Sequence, residues 1–141
     1  MIPFRVEFRS GISVYEQVVY AAKKAIIVRQ LRPGDPFPSV RLLSRELKIN
    51  PNTAHKVISH LVADGLLEIR PGIGAVVAPA RPATKAERAE LLGQQMEGLV
   101  VEAKKLGVGL DEFVESVSTH WKRLGGPQTE GTSNRRRTNR Q

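Results

Sequence analysis

Helix-breaking and helix-capping residues alternate along the first 80 residues, and this pattern restricts the fold more than any other feature of the sequence. Residues 31–38 contain three prolines and one glycine, so they cannot be helical. Ser13 and Ser39 are suitable helix N-caps on either side of this stretch, and Asn50 followed by Pro51 is typical of a further helix start. The pattern therefore predicts three short helices in this part of the chain instead of one long helix.

The spacing of apolar residues predicts which side of each helix is buried. Ser13 and Glu16 form a capping box, and the helix that follows is expected to continue to about Gln30. The residues expected to face inward are Tyr15, Val18, Ala22 and Ile26 on the first helix, Leu42, Leu43 and Leu47 on the second, and Ala54, Val57, Ile58 and Leu61 on the third. The residues expected to face outward on the third helix are Asn52, His55, Lys56 and Ser59.

Short strands are predicted on both sides of these helices. Residues 4–8 alternate apolar and charged side chains, which is typical of an edge strand. Gly65 ends the third helix, and residues 67–70 and 75–78 form two strands joined by a turn with two glycines, Gly72 and Gly74. We therefore expect a mainly α fold with a small β wing, a winged helix-turn-helix, over residues 1–80.

A second region, residues 81–124, is predicted to be helical. Thr84 and Glu87 form another capping box, which opens a helix to about Leu106 with Gly107 as its stop. A further helix over about residues 111–124 completes an expected antiparallel helix pair, with its apolar residues inward: Phe113, Val114, Val117, Trp121 and Leu124. Residues 125–141 are rich in Gly, Thr, Ser, Asn and Arg, which predicts a disordered basic tail.

The apolar residues of the first predicted C-terminal helix recur at alternating spacings of three and four: Ala89, Leu92, Met96, Leu99, Ala103 and Leu106. A stripe this narrow is not a whole globular core, so it needs a partner. We expect it to dimerise the protein, and the predicted dimerisation residues are Leu92, Met96, Leu99, Leu106, Val114, Val117 and Trp121. The alternative is that the stripe packs only on the other helix of its own chain.

The net charge of +8 is unevenly distributed along the chain. Residues 1–80 carry +5, residues 81–126 carry zero and residues 127–141 carry +3. A basic front and a neutral middle favour a polyanion-binding module joined to a part that need not touch the polyanion, although a merely soluble basic protein has the same charge. The sequence has no cysteine, no secretory signal pattern and no apolar run long enough for a bilayer, so we expect a cytoplasmic protein.

The predicted outward face of the third helix has side chains suited to reading DNA bases. Asn52 can pair with adenine, and His55 and Lys56 can donate to guanine in the major groove. The amides of the first turn, together with Thr53, can hold a phosphate. The alternative is a polar face that is simply solvated.

Catalytic, metal and cofactor sites are not expected. His55 and His60 are five residues apart on a helix and diverge, and no cysteine cluster or Glu-x-x-His motif accompanies them. No nucleophile elbow or P-loop is present, and the segment from Gly72 to Gly74 lacks the following helix that phosphate binding needs. We therefore expect no enzyme activity, no cofactor and no metal.

Five separate motifs resemble those of the gluconate-repressor (GntR) family of bacterial regulators over about residues 10–78. In order they are Tyr15-Glu-Gln-Val18, Arg32-Pro-Gly-Asp-Pro-Phe-Pro-Ser-Val-Arg-Leu-Leu43, Asn50-Pro-Asn-Thr53, Leu61 with Asp64-Gly-Leu66, and Arg70-Pro-Gly-Ile-Gly74. The short two-helix segment after them looks like that of the YtrA-like subfamily.

This resemblance implies roles for individual residues. It implies that Arg41 reads a guanine while Ser39 holds a phosphate, and that Asn50, Asn52 and Thr53 contact phosphates and bases. It also implies that the backbone at Gly72 and Gly74 enters the minor groove. Four positions depart from the family pattern. His55 stands where Arg is usual, Ile73 replaces a common basic residue of the wing, Phe37 replaces the usual Leu, and Val76 replaces the Phe of the wing.

The expected function is sequence-specific binding of double-stranded operator DNA as a homodimer on an inverted repeat, with repression as the expected outcome. One alternative is a winged-helix adaptor that binds proteins and not DNA, which the +5 charge of residues 1–80 disfavours. Another is a binder of single-stranded nucleic acid, but the sequence lacks the aromatic residues on which bases would stack.

Overall fold

A computed structural model describes residues 1–125, and these residues form two compact units. The first unit spans Met1–Arg81, and the second begins at Pro82. The predicted basic tail lies, apart from Gly125, outside the described residues. The elements of the first unit are α1 (Val14–Ile27), α2 (Val40–Leu47), α3 (Pro51–Ala63), β1 (Leu67–Arg70) and β2 (Gly74–Val77).

The three helices of the first unit begin at the predicted caps. The hydroxyl oxygens of Ser13 and Ser39 accept hydrogen bonds from the third residue of α1 and α2, each at 3.1 Å. Asn50 caps α3 in the same way, and Pro51 occupies its first turn. The first helix ends at Ile27 and not near Gln30 as predicted, because the chain turns into the left-handed region at Arg29, where φ is +69°.

The core of the first unit is entirely apolar among its described residues. Helix α3 contacts both α1 and α2, and its fully buried residues Ala54, Val57 and Leu61 lie between them. The remaining buried core residues are Phe4, Val18, Val19, Ala22, Ala25, Leu31, Phe37, Leu43, Leu67, Val76 and Val77. Five residues that were expected to face inward are only half-buried: Tyr15, Ile26, Leu42, Leu47 and Ile58.

The two predicted wing strands pair antiparallel, with Leu67 opposite Val77 and Arg70 opposite Gly74. The second strand begins one residue earlier than expected, at Gly74. The predicted strand over residues 4–8 is wrong: this segment has no strand structure, and Phe4 is buried by stacking on Phe37 with ring centroids 5.8 Å apart.

The other edge of β2 is occupied by the proline-rich loop. The amides of Gly34 and Phe37 donate to the carbonyls of Val77 and Ala75 at 2.8 and 2.9 Å, and the amide of Val77 donates to Asp35. Pro36 has no amide hydrogen, so this pairing is limited to a single bridge with Val76. The loop, and not the N-terminal segment, therefore protects the free edge of the wing.

The second unit contains α4 (Lys85–Glu90), a π-helical segment (Leu91–Gln95), α5 (Met96–Lys105) and α6 (Leu110–Leu124). The capping box of Thr84 and Glu87 is present, with hydrogen bonds of 2.9 and 3.0 Å. The predicted single α-helix is therefore interrupted by a π turn. Gly107 ends the run as predicted, with φ of +74°.

The apolar faces of the C-terminal helices are not buried within one chain. Met96, Val100, Ala103 and Phe113 are half-buried. The predicted dimerisation residues that are exposed are Leu92, Leu99, Leu106, Val114, Val117 and Trp121. The expectation that Val114, Val117 and Trp121 face inward on an antiparallel partner helix of the same chain is therefore wrong for residues 82–125, because α5 and α6 do not cover each other's apolar faces.

Candidate nucleic-acid interface

Helices α2 and α3 are joined by the three residues Lys48, Ile49 and Asn50, which form the turn of a helix-turn-helix. Lys48 adopts a left-handed conformation with φ of +55°, and its amide donates to the carbonyl of Ser44. The amide of Ile49 donates to the same carbonyl at 3.1 Å. These bonds end α2 sharply, so that α3 starts in a new direction after only two further residues.

Helix α3 is buried on one side and exposed on the other, as its sequence predicts. Asn52, His55 and Lys56 are exposed, as is Ser59. The helix contains no Asp or Glu. A helix that is held on its apolar side and presents polar, carboxylate-free side chains on the other has the form of a recognition helix. Thr53 is half-buried at the border between the two sides.

The two predicted phosphate contacts at helix starts are also structural caps. Asn50 Oδ1 accepts from the amide of Asn52 at 2.8 Å, and Ser39 Oγ accepts from the amide of Leu42 at 3.1 Å. Each side chain keeps a hydrogen-bond donor, the amide NH2 of Asn50 and the hydroxyl proton of Ser39. Both residues are exposed, so these donors can reach an anion without breaking the caps.

Arg41 lies in the first turn of α2, two residues after the Ser39 cap. Its side chain is exposed, and it forms no ion pair within residues 1–125. Lys56 on α3 is likewise exposed and without a carboxylate partner in the same residues. Both cations therefore remain available to an anionic or guanine-bearing ligand.

The tip of the wing is narrow and electrically neutral. Gly72 and Gly74 have φ of +80° and +107°, conformations that glycine adopts without strain. Between them Ile73 is 66% exposed. Arg70, at the end of β1, pairs with Glu68 on the same strand at 3.0 Å. The wing thus presents an aliphatic side chain at its tip, at the position where the sequence lacks the basic residue that is common in the family.

A polar contact between α1 and α3 was not predicted from the sequence. The hydroxyl of Tyr15 lies 2.7 Å from Nδ1 of His60, and Nε2 of His60 lies 3.8 Å from a carboxylate oxygen of Asp64. The rings of Tyr15 and His60 also meet edge to face. The only sequence signal was that Tyr15 belongs to the apolar stripe of its helix and that His60 lies beside the apolar stripe of α3.

No group of three or more His, Cys, Asp or Glu side chains in residues 1–125 is placed to hold a metal ion. No helix in the same residues combines the length and the apolar character needed to cross a bilayer.

Comparison with known proteins agrees with this architecture. The model of the family described as bacterial regulatory proteins, gntR family, matches residues 14–77. The HTH-type transcriptional regulator YhcF of Bacillus subtilis is 30% identical over 113 residues, which cover 80% of this chain and 93% of the relative. The HTH-type transcriptional repressor YtrA of the same organism is 30% identical over 112 residues, which cover 79% of this chain and 86% of the relative.

A crystal structure of a transcriptional antiterminator from Listeria monocytogenes EGD-e shares the fold with a TM-score of 0.78 and 22% identity, covering 87% of this chain and 93% of that one. The fold, the exposed face of α3 and the two relatives lead to one conclusion. The chain belongs to the GntR family of bacterial regulatory proteins and is a DNA-binding transcriptional regulator of the winged helix-turn-helix type.

Proposed function

We propose that this regulator represses transcription by binding an inverted-repeat operator as a homodimer, through α2, α3 and the wing, and that it has no enzyme activity. The observation that carries the proposal is the exposed, carboxylate-free side of α3, which lies opposite three fully buried residues. Because the proposed operator is part of the bacterial chromosome, the proposal also implies that the protein acts in the cytoplasm.

The proposed DNA contacts are of two kinds: some read the bases, and others position the protein on the duplex. We assign base reading to Asn52, His55 and Lys56 on α3 and to Arg41 on α2, because these side chains are exposed and can hydrogen-bond to base edges. The residues assigned to phosphates or to the minor groove are Ser39, Asn50, Thr53, Gly72 and Gly74. Phosphate contacts fix the register of the protein, and base contacts give its sequence preference.

The exposed apolar side chains of the second unit support the proposed homodimer. Leu99, Val114 and Trp121 are 52%, 56% and 65% exposed. Exposed apolar residues at this density mark an interaction surface. A two-fold dimer presents two recognition helices, which raises affinity by making the second contact intramolecular and requires an operator with matching symmetry.

Repression is proposed by analogy with the similar YtrA, which is named a repressor. The second unit consists of short helices alone in residues 82–125, with no further folded domain described there. A dimer of this kind acts most simply by occupying DNA that the transcription machinery also needs. In a reporter strain, expression from a promoter carrying the selected site should fall when the regulator is produced.

Selection of binding sites from a random duplex library, followed by mobility shifts, tests the proposal. The selected sites should contain two inverted half-sites, and Arg41→Ala should lose about 1–3 kcal/mol of specific binding while relaxing one base position. Lys23 is an exposed lysine of α1, so Lys23→Ala is the charge-matched control for Lys56→Ala. Only Lys56→Ala should change the base preference.

Two results would contradict the proposal. If the library yields no preferred sequence, the protein does not bind DNA sequence-specifically. An unchanged ratio of selected to scrambled DNA affinity in Arg41→Ala and Lys56→Ala would show that base reading has been assigned to the wrong residues.

A further inference from the structure

The wing differs from the rest of the first unit in charge. Residues 1–80 carry a net charge of +5, whereas residues 67–77 contain one cation, Arg70, and one anion, Glu68. These two side chains pair at 3.0 Å, so the wing has no net charge to offer a phosphate. Affinity contributed by the wing must therefore come from contacts other than counterion release.

The shape of the wing tip indicates which kind of contact with DNA the wing can make. The amide of Ile73 donates to the carbonyl of Arg70 at 3.1 Å, which closes the turn. On both sides of Ile73 a glycine with positive φ faces open space, with no atom within 4 Å of the position that a Cβ would take. The tip is therefore bare backbone around one aliphatic side chain, which suits a minor groove only about 6 Å wide.

We propose that Ile73 is an apolar wedge that enters the minor groove beside the half-site read by α3 and partly unstacks one base step. This inference rests on the proposed function, since it requires the wing to lie against DNA. An isoleucine forms no hydrogen bond with a base, so it gains only by burying its side chain against base edges and sugars. The wing then favours a flank that deforms easily, an A·T-rich one with a pyrimidine–purine step such as TA.

The test uses the full chain and the duplex selected by the wild-type protein. The flanking step under the wing is made TA, AA or GC, and in the TA duplex 2-aminopurine replaces the adenine of that step to report unstacking. Wild type should bind the TA duplex most tightly and raise its fluorescence. Ile73→Ala should bind that duplex about tenfold more weakly, bind all three flanks alike and leave the fluorescence low.

Three further variants separate a wedge from a general effect. Ile73→Leu should restore the flank preference because it restores an aliphatic side chain. Ile73→Arg should recover affinity, replace the preference for TA with one for the narrow groove of AA, and steepen the dependence of log K on log salt by about one unit. Ile27 is 64% exposed on α1, so Ile27→Ala removes an equally exposed isoleucine and should behave as wild type.

The outcomes distinguish this inference from the proposed function. If wild type selects an inverted repeat but Ile73→Ala keeps its affinity, flank preference and fluorescence change, the wedge is refuted and the proposed function stands. If Ile27→Ala loses as much DNA affinity as Ile73→Ala, the effect is not located at the wing and the wedge is again refuted. If wild type selects no sequence, both are refuted.

Discussion

Leu99→Asp is expected to convert the proposed dimer into monomers while leaving the first unit folded. Leu99 lies on α5 and is 52% exposed in the single chain. Full burial of a leucine side chain is worth about 1.5–3 kcal/mol, so roughly half of that remains to be gained on association. A two-fold dimer contains two copies of Leu99, so loss of the two apolar side chains alone should weaken association by about 2 kcal/mol.

The introduced carboxylate adds a second term. Burial of a polar group without a partner costs about 1–3 kcal/mol per copy in protein variants, again counted twice. The sum is about 4–8 kcal/mol, so the dimer dissociation constant should rise by about a thousandfold or more. Because an operator with two half-sites needs both recognition helices, its affinity should fall steeply as well.

Sedimentation equilibrium over a range of concentrations measures this change, and circular dichroism checks that the helices remain. Val101 supplies a matched control: it is 57% exposed on the same helix and lies about 200° around the axis from Leu99. Val101→Asp should remain dimeric. A Leu99→Asp protein that stays dimeric and binds the selected duplex normally would show that some other surface joins the two copies.

Four other changes have defined outcomes. Lys48→Gly should raise the free energy of unfolding in urea by about 0.5–1 kcal/mol, because Lys48 holds a φ of +55° that glycine adopts more easily; a decrease would contradict this. Leu61→Ala should lower the same quantity by about 2–5 kcal/mol, since Leu61 is fully buried between helices. Tyr15→Phe keeps the ring but loses the 2.7 Å contact with His60, so it should lower the free energy of unfolding by about 1 kcal/mol. No change would show that water replaces the lost hydrogen bond. Truncation after Gly125 removes a net charge of +3, so the salt dependence of DNA binding should become shallower while the base preference stays; an altered base preference would show that the tail reads sequence.

The features that sequence predicted well are those set by neighbouring residues. Caps such as Ser39 and Asn50 act within three residues, and an apolar stripe such as Ala54, Val57 and Leu61 follows from helix geometry alone. The exposed face of α3, which is the centre of the candidate site, could therefore be predicted residue by residue.

The features that sequence missed depend on distant partners or on small energy differences. The pattern at residues 4–8 resembled a strand, but residues 34–37 pair with the outer edge of β2, and Phe4 is instead buried against Phe37 of that loop. Nothing local distinguishes the π turn from an α turn, and Lys48 and Arg29 are not residues that usually mark a left-handed conformation. The contact of Tyr15 with His60 spans 45 residues, so no local pattern contains it.

The π-helical segment at Leu91–Gln95 has a consequence for how this family member can change over time. Its wider turn holds about one residue more than an α turn, so a sequence spacing that crosses it is one residue longer than the same spacing in a plain α-helix. Deleting one residue here would restore a plain α-helix and leave the parts on either side in nearly the same relative orientation, whereas deleting one elsewhere in the run would rotate them by about 100°. Because all five residues of the segment are exposed, such a deletion would disturb no core. The segment is thus a place where the chain can gain or lose one residue while the apolar side chains on either side keep their relative directions.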